Sequence, residues 1–237
     1  MKLEECKDYC VLKAFDVSES DIENCKSLVD TDDVFIDVSE KYKDVTIILI
    51  NKNASEVKFN EILNNVVNCI KDELYADYET SLEEQIVKKA TDKNIKVGTA
   101  ESITGGMVAS SIVNIPGSSH VLYEGFVTYA TAAKVRRLHV KQNTLDNYGP
   151  ISMQTCEEML QGVLANKDIT LAVATTGCAG PDSDEFDTPV GVAYIGVASN
   201  TEHEVKKVEL DGNRDTIRKT VNNIALFMLL KYIEKYD

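Results

Sequence analysis

From Ser81 onward, apolar stripes at helical spacing alternate with short apolar runs, a pattern suited to a sheet covered by helices. Leu82, Ile86, Val87 and Ala90 form the first stripe, and residues 95–99 the first strand. A helix over 104–113, a strand over 122–129 and a helix over 132–138 follow. A further helix starts at Ser152, a fitting N-cap, and carries Cys156, Met159, Leu160, Val163 and Leu164 on one face. Strands over 170–175, 190–198 and 205–210 come next, and a long last helix carries Ile217, Val221, Ile224 and Met228. The expected fold is a mixed-sheet, three-layer α/β domain over residues 81–237.

Residues 1–80 have a different character. They hold 19 acidic and 9 basic side chains, about −10 of the net charge of −14. Ser18 is placed to cap a helix ending at 27–28, residues 34–38 and 45–50 pair as strands around a turn at 41–44, and Ser55 precedes a helix with Phe59, Ile62, Leu63, Val66, Val67 and Ile70 at 3.6-residue spacing. With a strand near 74–77, this predicts a small acidic α+β domain of order α-β-β-α.

The charge argues against a nucleic-acid partner, because binding a polyanion depends on basic side chains that release counterions. The apolar runs at 45–50 and 224–230 are far shorter than the ~20 residues that span a bilayer, and no apolar leader follows Met1, so a soluble cytoplasmic protein without a membrane partner is expected. Six cysteines lack a C-x-x-C pair, and His120, His139 and His203 are scattered, so neither disulfides nor a metal site is expected. No cofactor is called for.

Chemistry is concentrated in glycine motifs at predicted strand ends. In the run Val97-Gly98-Thr99-Ala100-Glu101-Ser102-Ile103-Thr104-Gly105-Gly106, a strand enters a hydroxyl-rich turn that opens a helix. Such a turn serves either as a tight connection or as a place where backbone N–H groups meet an anion. Further along stand Ile115-Pro116-Gly117-Ser118-Ser119, then Gly125-Phe126-Val127-Thr128-Tyr129 leading to Ala133-Lys134-Val135-Arg136. Ala174-Thr175-Thr176-Gly177-Cys178-Ala179-Gly180-Pro181, Thr188-Pro189-Val190-Gly191 and Gly212-Asn213-Arg214-Asp215 complete the series.

In order and spacing this set closely resembles the C-terminal domain of the CinA (competence/damage-inducible) proteins, over about residues 80–237. The stand-alone members are nicotinamide mononucleotide deamidases. The resemblance implies an amidohydrolase that converts nicotinamide mononucleotide and water to nicotinate mononucleotide and ammonia in pyridine-nucleotide recycling, and a homodimer formed through this domain. The first 80 residues are faintly similar to the KH-like middle domain of full-length members, but lack the G-x-x-G loop that RNA binding by a KH module requires.

Amide hydrolysis needs a nucleophile, a base and donors for the oxyanion. Without a metal or a histidine base, serine with lysine and tyrosine is the economical set. Ser119 is the nucleophile that the family likeness favours, with Ser102 its rival. Tyr129 and Lys134 match the family motif, and Lys134 would have to be largely neutral near pH 7. Read alone, these two favour an exposed ion-paired lysine and a core tyrosine, and the resemblance shifts that balance. Ser102 and Thr104 are the alternative donors beside Gly105 and Gly106 for the phosphate or the oxyanion, and Ser118, Thr176, Gly177, Ala179 and Gly180 are expected to bind substrate. Cys178 reads as a passive small residue. Arg214 suits a phosphate or carboxylate, or else decorates a helix capped by Asn213. Thr131, Ala132 and Asn213 depart from the family pattern. They motivate the alternative, a non-catalytic regulatory or scaffolding protein that keeps a nucleotide pocket.

Overall fold

A computed structural model describes residues 8–29 and 32–236. The acidic start and Cys6 lie outside the described residues. The chain divides into two compact units between Ser81 and Leu82.

In the first unit, β1 (Tyr9–Phe15), α1 (Glu19–Leu28), β2 (Val34–Lys41), β3 (Asp44–Asn51), α2 (Glu56–Cys69) and β4 (Leu74–Ala76) build an antiparallel sheet of order β2-β3-β1-β4. The order βαββαβ with this strand sequence is the split β-α-β arrangement. β1, which the expected α-β-β-α order lacks, adds a strand between β3 and β4. The alternation rule does not find β1, since residues 10–15 are all buried and give no polar/apolar period.

Local signals set the other elements. The Ser18 and Ser55 hydroxyls accept from the Asp21 and Lys58 N–H groups and fix the two helix starts. Tyr42 and Lys43 sit at φ of 53° and 68°, as a two-residue hairpin turn between right-twisting strands demands. Leu12, Val45, Ile47 and Leu49 from the sheet close on Cys25, Phe59, Leu63 and Val66 from the helices.

The second unit carries α3 (Leu82–Asp92), β5 (Val97–Glu101), α4 (Met107–Val113), a 3-10 turn (Ser118–His120), β6 (Leu122–Val127), α5 (Thr131–Leu138), α6 (Gln142–Tyr148), α7 (Met153–Leu164), β7 (Leu171–Gly177), β8 (Val192–Ala198), β9 (His203–Glu209) and α8 (Arg214–Lys235). Its sheet runs β6-β5-β7-β8-β9, parallel across β6, β5 and β7 and antiparallel beyond. Pairing alternates faces. Ala172, Ala174 and Ala100 meet Cys156, Met159 and Val163 on the α7 side, while α8 packs on the other face with α3 and α4. This is the mixed three-layer sheet expected. No helix among the described residues is long and apolar enough to cross a membrane.

α6 has no counterpart in the sequence reading. Only Thr144 and Leu145 of its seven residues are buried, too few for a stripe.

Candidate active site

The parallel strands β5, β6 and β7 end on one edge of the sheet, where loops gather in open α/β folds. A cavity of about 400 Å³ lies there. Ser102 enters it just after β5, Tyr129 just after β6, Thr176 and Gly177 from the end of β7, and Ala179 and Gly180 from the following loop. Lys134 arrives from α5 and Arg214 from the first position of α8. Gly177 is required by contact: a Cβ there would lie 2.6 Å from Ala193 Cβ and 2.8 Å from Ile103 Cδ1.

Lys134 is the unusual group. Its side chain is 1% exposed, and Nζ donates to the Thr128 carbonyl at 2.8 Å. Among the described residues no carboxylate lies within ion-pairing distance. Burial disfavours the ammonium form and lowers the pKa to about 8. The bland reading, an exposed ion-paired lysine, does not describe it. The neighbouring Cys156 thiol is fully buried and pushed up by desolvation, so it remains a neutral thiol.

Around the amine the polar groups are ordered. Arg214 donates from Nη1 to the Gly180 carbonyl at 2.7 Å and from Nη2 to Tyr129 Oη at 3.0 Å, which ties α8 to two walls of the cavity. Thr176 Oγ1 donates to the Pro150 carbonyl at 2.7 Å. Asn213 caps α8, accepting from the Thr216 N–H at 3.0 Å. Cys178 is buried, with Sγ directed at the Asp182 carbonyl, 3.3 Å away. Ser102 Oγ has no partner among the described residues, and a hydroxyl in that state is open to a ligand.

Two groups of expected site residues are not brought here. Ser118 and Ser119 lie in the 3-10 turn before β6, whereas Tyr129 follows its far end. A six-residue strand and its flanks, at about 3.3 Å per residue, put these serines on the order of 20 Å from the cavity. Within one chain Ser119 therefore cannot exchange a proton with Lys134.

The Gly105-Gly106 turn is already occupied from within. Glu101 is 1% exposed; its Oε2 accepts from Thr104 Oγ1 at 2.7 Å, Gly106 N at 2.9 Å and Val108 N at 3.0 Å, and its Oε1 from Ala109 N at 2.9 Å. Thr104 Oγ1 is also 2.7 Å from Thr175 Oγ1. With φ of 95°, Gly106 turns the chain so that these donors converge, and α4 starts at Met107 rather than at 104. Thr104 and Gly106 therefore belong to a structural lock, and neither they nor Gly105 line the cavity.

Glu101→Ala should leave four donors without their acceptor and cost at least about 3 kcal/mol. The expected readout is a melting midpoint at least about 6 °C lower. A midpoint unchanged within about 1 °C would show the turn holds without the carboxylate.

The cavity also has walls that the sequence reading did not assign, Pro150, Ile151 and Asp182 to Glu185, and Thr131, noted there as a departure from the family pattern, lines it too. Their one sequence signal is position, since the acidic loop sits between the Thr176–Pro181 and Thr188–Gly191 motifs.

The family model described as the CinA C-terminal domain matches residues 79–233. The chain belongs to the CinA family. A relative from Acetivibrio thermocellus with a competence-damage inducible name is 38% identical over 232 residues, covering 94% of this chain and 56% of that protein. Another from Clostridium perfringens is 35% identical over 232 residues, covering 96% and 56%. The chain thus spans 56% of the length of these curated CinA relatives. Among solved structures, the competence/damage inducible protein CihA from Agrobacterium tumefaciens is similar at a TM-score of 0.62 and 32% identity, over 68% of this chain and 100% of that one. Competence damage-inducible protein A from Klebsiella pneumoniae is similar at 0.63 and 26%, over 66% and 97%.

Proposed function

We propose that the second unit hydrolyses the carboxamide of nicotinamide mononucleotide to nicotinate mononucleotide and ammonia without a metal. The carrying observation is the buried Lys134 amine, held in a cavity that also receives an unpartnered serine hydroxyl. CinA-family membership supplies the substrate class, as its stand-alone members act on this nucleotide.

In this reading neutral Lys134 takes the Ser102 proton as Oγ attacks the amide carbon. The resulting lysine ammonium returns a proton to the departing nitrogen, which leaves as ammonia, and water repeats the sequence on the ester to release the acid. Tyr129 supports the geometry through Arg214, whose remaining N–H groups suit the substrate phosphate. Thr176, Gly177, Ala179 and Gly180 shape the wall.

The homodimer belongs to the same proposal. β6 is an edge strand with Tyr123 and Val127 exposed, and antiparallel pairing of two β6 edges would set Ser119 of one copy near the Tyr129 end of the other. A serine supplied across that axis is the competing assignment of the nucleophile.

Ammonia release from a panel of pyridine nucleotides and simple amides, with a chelator present, tests the activity. The rate should rise about tenfold per pH unit below the Lys134 pKa of about 8 and level off above it. Lys134→Arg should be inactive at every pH, because arginine stays charged. No ammonia from the wild-type protein, or a flat profile from pH 6 to 9, overturns the reading in favour of a non-catalytic nucleotide-binding protein.

A further inference from the structure

Arg218 has no part in the mechanism above, yet it grips the turn that carries Ser102. It lies four residues after Arg214 on α8, so the helix presents two guanidinium groups on one side. Arg214 holds Gly180 and Tyr129, whereas Arg218 donates from Nε to the Ile103 carbonyl at 3.0 Å and from Nη2 to the Thr104 carbonyl at 2.8 Å. Ile103 is 3% and Thr104 0% exposed, and no other donor reaches either carbonyl among the described residues. Two successive carbonyls on one planar fork fix the two peptide planes between Ile103 and Gly105, directly after Ser102. Among the described residues Arg218 has no carboxylate within ion-pairing distance, so its N–H groups are committed to this turn. The approach is close: a Cβ on Gly105 would lie 3.2 Å from Arg218 Nη2. Two further bonds pin the same backbone, from the Ser102 N–H to the Thr175 carbonyl at 2.9 Å and from the Gly105 N–H to the Ser102 carbonyl at 3.2 Å.

We propose that Arg218 is a positioning residue for the reaction: by holding carbonyls 103 and 104 it sets where the Ser102 hydroxyl stands in the cavity. This rests on the deamidase reading with Ser102 as the nucleophile, and adds the group that keeps that nucleophile in place. An attacking oxygen must stand about 3 to 3.5 Å from the amide carbon with its orbitals aligned, and a misplacement of about 1 Å can cost on the order of 10²-fold in rate. Ser102 itself is followed by a turn with two glycines, Gly105 and Gly106 at φ of 65° and 95°, a backbone that holds one shape only where it is tied. Glu101 ties the N–H groups at the α4 end of this turn, and Arg218 ties its carbonyls. Lysine at 218 would keep the charge without the fork that spans two carbonyls.

The test is the split between kcat and KM for nicotinamide mononucleotide, with the pH profile of kcat beside it. Arg218→Ala should lower kcat by about 10²-fold and leave KM within about threefold, because the serine is displaced while the cavity walls that bind the nucleotide stay. The pH at which kcat levels off should remain near the Lys134 value of about 8, since the buried amine is untouched. Arg218→Lys should recover about tenfold of the lost kcat, and it carries the test if the alanine variant does not fold: its kcat should then lie about tenfold below wild type at unchanged KM. A merely structural loss would let water reach Lys134, move the levelling-off upward towards the ordinary lysine value of 10.5 and raise KM, and that outcome overturns the inference. A kcat within about threefold of wild type in Arg218→Ala also overturns it, with the deamidase reading intact. Full turnover by Ser102→Ala overturns it together with the choice of nucleophile, and a wild-type protein that releases no ammonia overturns the deamidase reading as well.

Discussion

Lys134→Met is expected to give a protein that melts above the wild type and releases almost no ammonia. The amine is 1% exposed and has the Thr128 carbonyl as its hydrogen-bonded partner, so at neutral pH the fold holds a charge in surroundings that do not compensate it. Its pKa falls from 10.5 to about 8, which at 1.36 kcal/mol per unit is a penalty of about 3 kcal/mol. The sign follows from proton binding. Between pH 8 and 10.5 the unfolded chain holds this proton and the folded one does not, so wild-type stability rises with pH there, and below pH 8 the whole penalty is present.

Methionine fills nearly the same volume without charge, and replacing a buried charge by a packed apolar side chain typically gains about 1 to 4 kcal/mol. The melting midpoint at pH 7 should rise by roughly 2–4 °C per kcal/mol, with the gain shrinking towards pH 10. Turnover should fall by about 10²–10⁴-fold, the usual worth of a general base. Thermal melts at pH 7 and pH 10 beside an ammonia assay check both halves. A variant that melts lower at pH 7, or that keeps turning over, removes Lys134 from the role of a held base.

The second large effect separates the two serines. Ser102→Ala should reduce turnover by about 10³-fold or more, as loss of a nucleophile does, while Ser119→Ala should stay within about threefold of wild type. The reverse pattern has a definite structural meaning. Ser119 lies at the opposite end of β6 from Tyr129, so it could act only on the cavity of a second copy. Mixing inactive Ser119→Ala and Lys134→Ala proteins would then restore activity, because some mixed dimers would hold one intact site. Restoration would move the nucleophile to Ser119 across the two-fold axis, and its absence together with an inactive Ser102→Ala keeps it at Ser102.

These contrasts show what the sequence carries. Elements with a sustained stripe and a cap, such as α7 behind Ser152 and α2 behind Ser55, are legible because burial on one face imposes the period and the cap fixes the start. β1 and α6 are not, the first because all of residues 10–15 are buried and the second because little of it is. At the site, strand-end glycine motifs locate Ser102, Tyr129 and the 176–180 loop. No local pattern tells that Glu101, an acidic residue ending an apolar strand, turns inward to satisfy the helix start. Nor does spacing reveal that Lys134 is buried without a carboxylate, because burial of a lysine is decided by residues distant in sequence.

The Glu101 lock also changes how ligand binding should be pictured. In many glycine-turn helix starts the arriving anion completes the turn, so part of the binding free energy goes into ordering the loop. Here the protein carries that anion permanently, and three backbone N–H groups and a threonine hydroxyl are satisfied before any ligand arrives. The strand-to-helix corner beside Ser102 is thus a finished floor, and affinity at this site is separated from the folding of its foundation.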